Sequence, residues 1–198
     1  MTAAVLDSAG FEQLFLGFRS SARRLEPRGR YYSEPEQEGI AIFNAGRETM
    51  ERRRRAQTRW GAVVRGATAR GARFERVRVV SDPPTDYQRF GMYGSQVNTE
   101  LGEDIRYLPR DRANELDLPG HDFWVFDSEK VAFLPWTADD RMLEVQLITD
   151  PELVTHHERW IDLAWRHATP ALDYIAEDPT RIEPPGGVPL DVRGPTDR

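Results

Sequence analysis

The succession of elements between residues 74 and 170 constrains this chain more than any other feature. Phe74-Glu-Arg-Val-Arg-Val-Val80 alternates apolar side chains with arginine, the period of a half-buried strand. Ser81-Asp-Pro-Pro-Thr-Asp86 makes a turn whose Thr85 or Asp86 caps a helix carrying Tyr87, Phe90, Gly94, Val97 and Leu101. Four more strand-like runs follow at 104–109, 123–127, 130–135 and 143–149, and Asp127-Ser-Glu-Lys130 is short enough to join two of them as a hairpin. Asp150 as cap, Pro151 at the first helical position and Glu152 behind it start a closing helix with an apolar face through Leu153, His157, Trp160, Ile161 and Ala164. One order of elements satisfies all of this: an α/β (α+β) fold, with a mixed sheet of about five strands flanked by helices.

Upstream, Phe11, Leu14, Phe15 and Phe18 form the stripe of an amphipathic helix, ended by Glu26-Pro27-Arg28-Gly29. Tyr31-Tyr32 reads as a short strand, Ser33 to Glu38 as an acidic loop, and Ile40 to Phe43 as a helical turn. From Arg47 to Arg70 the pattern is helical, with Gly71 placed to end it. The expected organisation is therefore a helical and looped N-terminal segment (1–46) packing on an α/β core (47–176), followed by a disordered Pro/Gly-rich tail (177–198). Gly91 and Gly94 leave room on the 86–101 helix for close packing or for a ligand.

With 198 residues, five Trp and no Cys, the chain has enough apolar material for a core and no capacity for disulfides or thiol chemistry. No apolar run spans a bilayer and no secretory leader is legible, so a soluble cytoplasmic protein without membrane contact is expected. Residues 19–78 carry 16 Arg against seven acids, whereas 79–198 carry 11 basic residues against 24 acids. The net charge of −6 and the lack of a helix-turn-helix pattern argue against direct nucleic-acid binding. The four consecutive arginines 52–55 sweep round a helix and cannot all face one ligand.

Gly102-Glu-Asp-Ile-Arg-Tyr-Leu108, Phe123-Trp-Val-Phe-Asp127 and the run from Asp150 to Pro170 together resemble the back half of a phospholipase D-type domain. That family's chemistry needs His-x-Lys-x4-Asp. Aligning Asp127 with the motif's Asp puts Gly120 at the nucleophile position and Asp122 at the lysine position. The resemblance thus implies a degenerate phospholipase D-like half domain with a helical N-terminal segment and no catalytic residues. Phe-x-x-Leu-Phe, Arg-Val-Arg-Val-Val-Ser, Asp-Tyr-x-Arg-Phe and Gly-Glu-Asp-Ile-Arg-Tyr-Leu-Pro-Arg are also similar to landmarks of an uncharacterised actinobacterial family. That likeness implies a setting beside helix-turn-helix regulators.

The binding chemistry falls on Asp86, Tyr87, Arg89, Arg106, Tyr107, Arg110, His121 and Asp122, several of which belong near strand ends, where open α/β sheets hold ligands. An arginine pair with aromatic walls grips a carboxylate, phosphate or planar base. His156 and His167 are about three turns apart, too far to share a metal. Neither a metal nor any other cofactor is expected. The leading expectation is a non-catalytic regulatory or ligand-sensing protein. Its partners would be a helix-turn-helix regulator, a small anionic ligand and, as a homodimer, a second copy. Two alternatives stay open: an enzyme acting on a small anionic or nucleotide-like substrate in secondary metabolism, and a pure protein-interaction module.

Overall fold

The computed structural model describes residues 4–185, and residues 186–198 of the expected disordered tail lie outside them. Eight strands form one sheet in the order β1-β7-β6-β5-β2-β3-β4-β8. They are β1 (Ala4–Leu6), β2 (Ser21–Glu26), β3 (Arg73–Val80), β4 (Asp104–Pro109), β5 (Asp122–Phe126), β6 (Lys130–Leu134), β7 (Val145–Ile148) and β8 (Thr169–Pro170). The β2-β3 and β3-β4 pairs are parallel and the other five are antiparallel, so the mixed sheet is as expected.

The count of about five strands is too low. Two of the three additional strands, β1 and β8, are edge pieces of three and two residues that exist only through their neighbours' register. The third, β2, is central. The pattern carries the first helix on to Glu26-Pro27, yet that helix stops at Gly17 and Ser21–Glu26 is a strand in which Ala22 and Leu25 are fully buried. Its charges are matched from within the fold: Arg23 meets Glu75 at 2.6 Å and Asp162 at 2.7 Å, while Arg24 meets Glu26 at 2.6 Å and Asp122 at 3.2 Å.

Helices cover both faces. On one lie α1 (Ser8–Gly17), α4 (Thr58–Thr68) and α5 (Asp86–Glu100); α7 (Pro151–His167) and the short α6 (Arg110–Glu115) lie on the other. Strand alternation sorts β5 between the two, Trp124 and Phe126 packing with Phe15 and Val64, and Phe123 and Val125 with Val154 and Ile161. The remaining helices are α2 (Glu34–Asn44), α3 (Met50–Ala56) and α8 (Ala171–Glu177), with a 3-10 turn at Pro179–Ile182. The acidic stretch 34–38 is thus the first part of α2 and not a loop. Thr85 caps α5 in a reciprocal capping box with Gln88, and Asp150 caps α7 ahead of Pro151. Gly71 ends the 47–70 helical run with φ +79°, as its position implies. Among the described residues no helix is long and apolar enough to cross a membrane.

Candidate functional site

The arginine face of β3 is not the solvated face that its alternation implies. Arg76 and Arg78 point beneath α5, beside Arg24 and Glu26 of β2, which the parallel register places directly alongside them. Glu26 collects all three guanidinium groups: Arg24 at 2.6 Å, Arg76 at 3.4 Å and Arg78 through a short charge-assisted hydrogen bond. Burial alone would raise its pKa, but the pull of Arg24, Arg78 and Arg76 outweighs burial and holds the carboxyl at about 2. Arg76 has a second carboxylate, Glu103, at 2.7 Å, and Trp60 donates its indole N–H to the same group. Asp122, fully buried at the end of β5, accepts from Tyr31 Oη at 2.7 Å and from Arg24 at 3.2 Å. Burial nevertheless pushes its carboxyl up to about 6.

Above this layer α5 presents Tyr87, Gly91, Gly94 and Asn98 on one stripe, and a cleft of about 300 Å³ opens between the helix, the sheet and α3. The two glycines are there for the guanidinium groups. A Cβ at Gly91 would lie 2.9 Å from Arg78 Nη1, and one at Gly94 only 2.3 Å from Arg53 Nη2. Arg53 is the one member of the 52–55 run that turns inward. Arg52, Arg54 and Arg55 pair at the surface with Glu48, Glu100 and Glu51. Arg53 is 8% exposed, sits 4.3 Å over the Phe90 ring, and among the described residues makes no ion pair and no side-chain hydrogen bond. Burial lowers its pKa, offset only in part by Glu48 and Glu36 at a distance.

Of the residues singled out from the sequence, Tyr87 lines this cleft, and Tyr107 lines an annex of about 20 Å³ beside it, room for one water. Asp122 joins the same network through Arg24. Asp86 faces a neighbouring groove of about 710 Å³ whose cation, Arg30, lies 3.8 Å from Asp140. The other four go elsewhere. Arg89 donates to the Thr180 carbonyl at 2.5 Å and Arg110 to that of Pro27. Arg106 stacks on Trp165 at 3.9 Å on the α7 side of the sheet. His121 is on that side too, its Nε2 3.4 Å from His157 Nε2 among Phe133 and Trp160, and burial lowers the pKa of both rings. Among the described residues no three His, Cys, Asp or Glu side chains cluster to hold a metal.

A family model for a domain of unknown function, DUF6879, matches residues 9–176. The chain belongs to the DUF6879 family. No curated protein matches this DUF6879 chain significantly. A solved structure that it is similar to is Nuc of Salmonella typhimurium, a phospholipase D family member. The two share 12% identity at a TM-score of 0.50, over 85% of this chain and 97% of that one. The likeness establishes a phospholipase D-like fold.

In this DUF6879 domain the Asp127 carboxylate has an architectural task. It accepts the backbone N–H groups of Arg19, Ser20 and Ser21 at 2.6–3.0 Å, and the Ser20 hydroxyl at 2.9 Å. These bonds pin the entry of β2 to the β5-β6 turn. Sequence reasoning missed Arg24, Glu26, Glu36, Arg53, Trp60, Arg76, Arg78 and Asn98 as site residues. The legible signal was the coincidence of charged alternate positions on β2 and β3, which a solvated sheet face would explain as well.

Proposed function

We propose that this domain is a non-catalytic ligand-sensing regulator that binds a small anion at Arg53. Its occupancy state is passed in the cytoplasm to a DNA-binding partner of the helix-turn-helix class. The observation that carries the ligand part is the Arg53 guanidinium, buried, open to a cleft and without an acceptor among the described residues. Burying an uncompensated charge costs several kcal/mol, and a bound carboxylate or phosphate offsets that cost directly. The neighbouring arginines do not compete for the ligand, since Glu26, Glu103 and Asp122 already match them. The non-catalytic part is supported by Gly120 and Asp122 at the positions aligned with the phospholipase D nucleophile and lysine, and by the commitment of Asp127 to backbone. The partner part is supported by the sequence landmarks shared with regulator-associated proteins and by the basic first half of the chain.

One observation favours a second reading, an enzyme acting on a small anionic or nucleotide-like substrate. Asp122, buried beside the cleft-lining Arg24 with its carboxyl pushed up to about 6, has the raised pKa that proton-transfer chemistry uses.

The deciding experiment is calorimetric titration of the full chain and of Arg53→Gln with inorganic phosphate and 3-phenylpropionate. The same two proteins serve as baits in a native lysate. Binding weakened at least ten-fold in the variant, with unchanged circular dichroism, supports the anion site. Equal binding by both proteins overturns it. Capture of a helix-turn-helix regulator that depends on Arg53 supports the partner; capture of none overturns that part. Turnover of a nucleotide-like phosphodiester abolished by Asp122→Asn would replace the regulator with the enzyme.

A further inference from the structure

The cleft holds a second unmatched charge, of opposite sign. Glu36, half-buried in the first turn of α2, lines the cleft with Arg53. Among the described residues it makes no ion pair, and its one side-chain hydrogen bond comes from the Tyr87 hydroxyl, which donates to Oε2 at 3.3 Å. Glu36 and Arg53 feel each other electrostatically, yet they stay beyond the 4 Å of a salt bridge. An acidic and a basic group left apart across a cavity this small are an incomplete pair, and the missing piece is a molecule carrying both charges. A plain dianion would gain at Arg53 and lose at Glu36.

Asn98 adds to the same demand. Among the described residues its side-chain amide makes no hydrogen bond, Oδ1 being buried and unpaired, so it is free to accept from a ligand's donor. Phe90 and Trp60 supply apolar wall between these polar points. At about 300 Å³ the space admits an amino acid.

Resting on the anion-site reading above, we propose that the cleft binds a small zwitterion. It is an amino carboxylate with an apolar or aromatic side group, its carboxylate on Arg53 and its ammonium on Glu36. The α2 helix, which brings Glu36, and α3, which brings Arg53, are separate elements, so a bridging zwitterion ties them together while a simple anion engages α3 alone.

Calorimetric titration of the full chain with L-phenylalanine, L-leucine, 3-phenylpropionate and inorganic phosphate tests this, on wild type, Glu36→Gln and Arg53→Gln. The expected result is that L-phenylalanine or L-leucine binds at least ten-fold more tightly than 3-phenylpropionate. Glu36→Gln should erase that preference without weakening 3-phenylpropionate. If 3-phenylpropionate or phosphate binds as tightly as the amino acids, the zwitterion inference is overturned and the anion site stands. If the amino-acid preference survives Glu36→Gln, the assigned role of Glu36 is overturned. If nothing binds to wild type, the zwitterion and the anion site both fall.

Discussion

Glu26 and Arg78 face each other across the parallel register of β2 and β3 and share a short charge-assisted hydrogen bond beneath α5. Arg24 and Arg76 close on the same carboxylate, so one acidic side chain holds three guanidinium groups inside the sheet's buried face.

Removing that carboxylate strands the cations. Glu26→Ala is expected to cost about 3–5 kcal/mol, the range for breaking a buried ion pair from one side. Urea denaturation at pH 7 measures it. The pH dependence has a defined sign: the folded pKa, about 2, is below the ordinary 4.5, so the contribution is complete above 4.5 and disappears as pH falls towards 2. Glu26→Ala should therefore lose less relative to wild type at pH 2.5 than at pH 7.

Asp122 works in the opposite direction. Its folded pKa of about 6 lies above the ordinary 3.8, so its contribution favours folding below 3.8 and is lost as pH rises through 6. Asp122→Asn keeps an acceptor for the Tyr31 hydroxyl and removes the titration. Its stability relative to wild type should rise between pH 4 and pH 7 by on the order of 1–3 kcal/mol, read from paired urea curves at the two pH values. A flat difference would mean that the buried carboxyl ionises as easily as a free one.

Gly94→Ala separates binding from folding. The new Cβ would collide with the end of the flexible Arg53 side chain, which can swing away, and Ala is favoured over Gly in a helix interior by about 1 kcal/mol. Unfolding stability should stay within about 1 kcal/mol of wild type, while 3-phenylpropionate affinity drops at least ten-fold.

Asp127→Ala should do the reverse. Losing the acceptor of three backbone N–H groups is expected to cost about 2–3 kcal/mol. Ligand affinity measured on the folded protein should not change, because the clamp does not line the cleft.

The sequence reveals the helix ends at Thr85, Gly71 and Asp150-Pro151 because a cap is satisfied within a few residues of itself. The apolar strands β5 and β6 are legible for a similar reason, as their apolar runs and their short connecting turn are local. β2 is not, since Arg23, Arg24 and Glu26 are made tolerable in a sheet by Glu75, Asp162, Asp122, Arg76 and Arg78, each 50 or more positions from the residue it pairs with. The same distance hid the cleft. Gly91 and Gly94 read as space without saying for what, and nothing in Arg52 to Arg55 marks which arginine turns inward. Of the residues expected near strand ends, Tyr87 lines the cleft and Asp122 adjoins it through Arg24. Arg89 and Arg106 share that expected placement but sit at the rim and on the opposite face.

The central position of β2 also sets an order of events at the ribosome. Its antiparallel neighbour β5 begins 122 − 26 = 96 residues after β2 ends. At about 5–20 residues per second the strand waits roughly 5–20 s for that neighbour to emerge. The strand that must wait is hydrophilic enough to do so in water, and its arginines lose solvent only when the carboxylates that replace it have been synthesised.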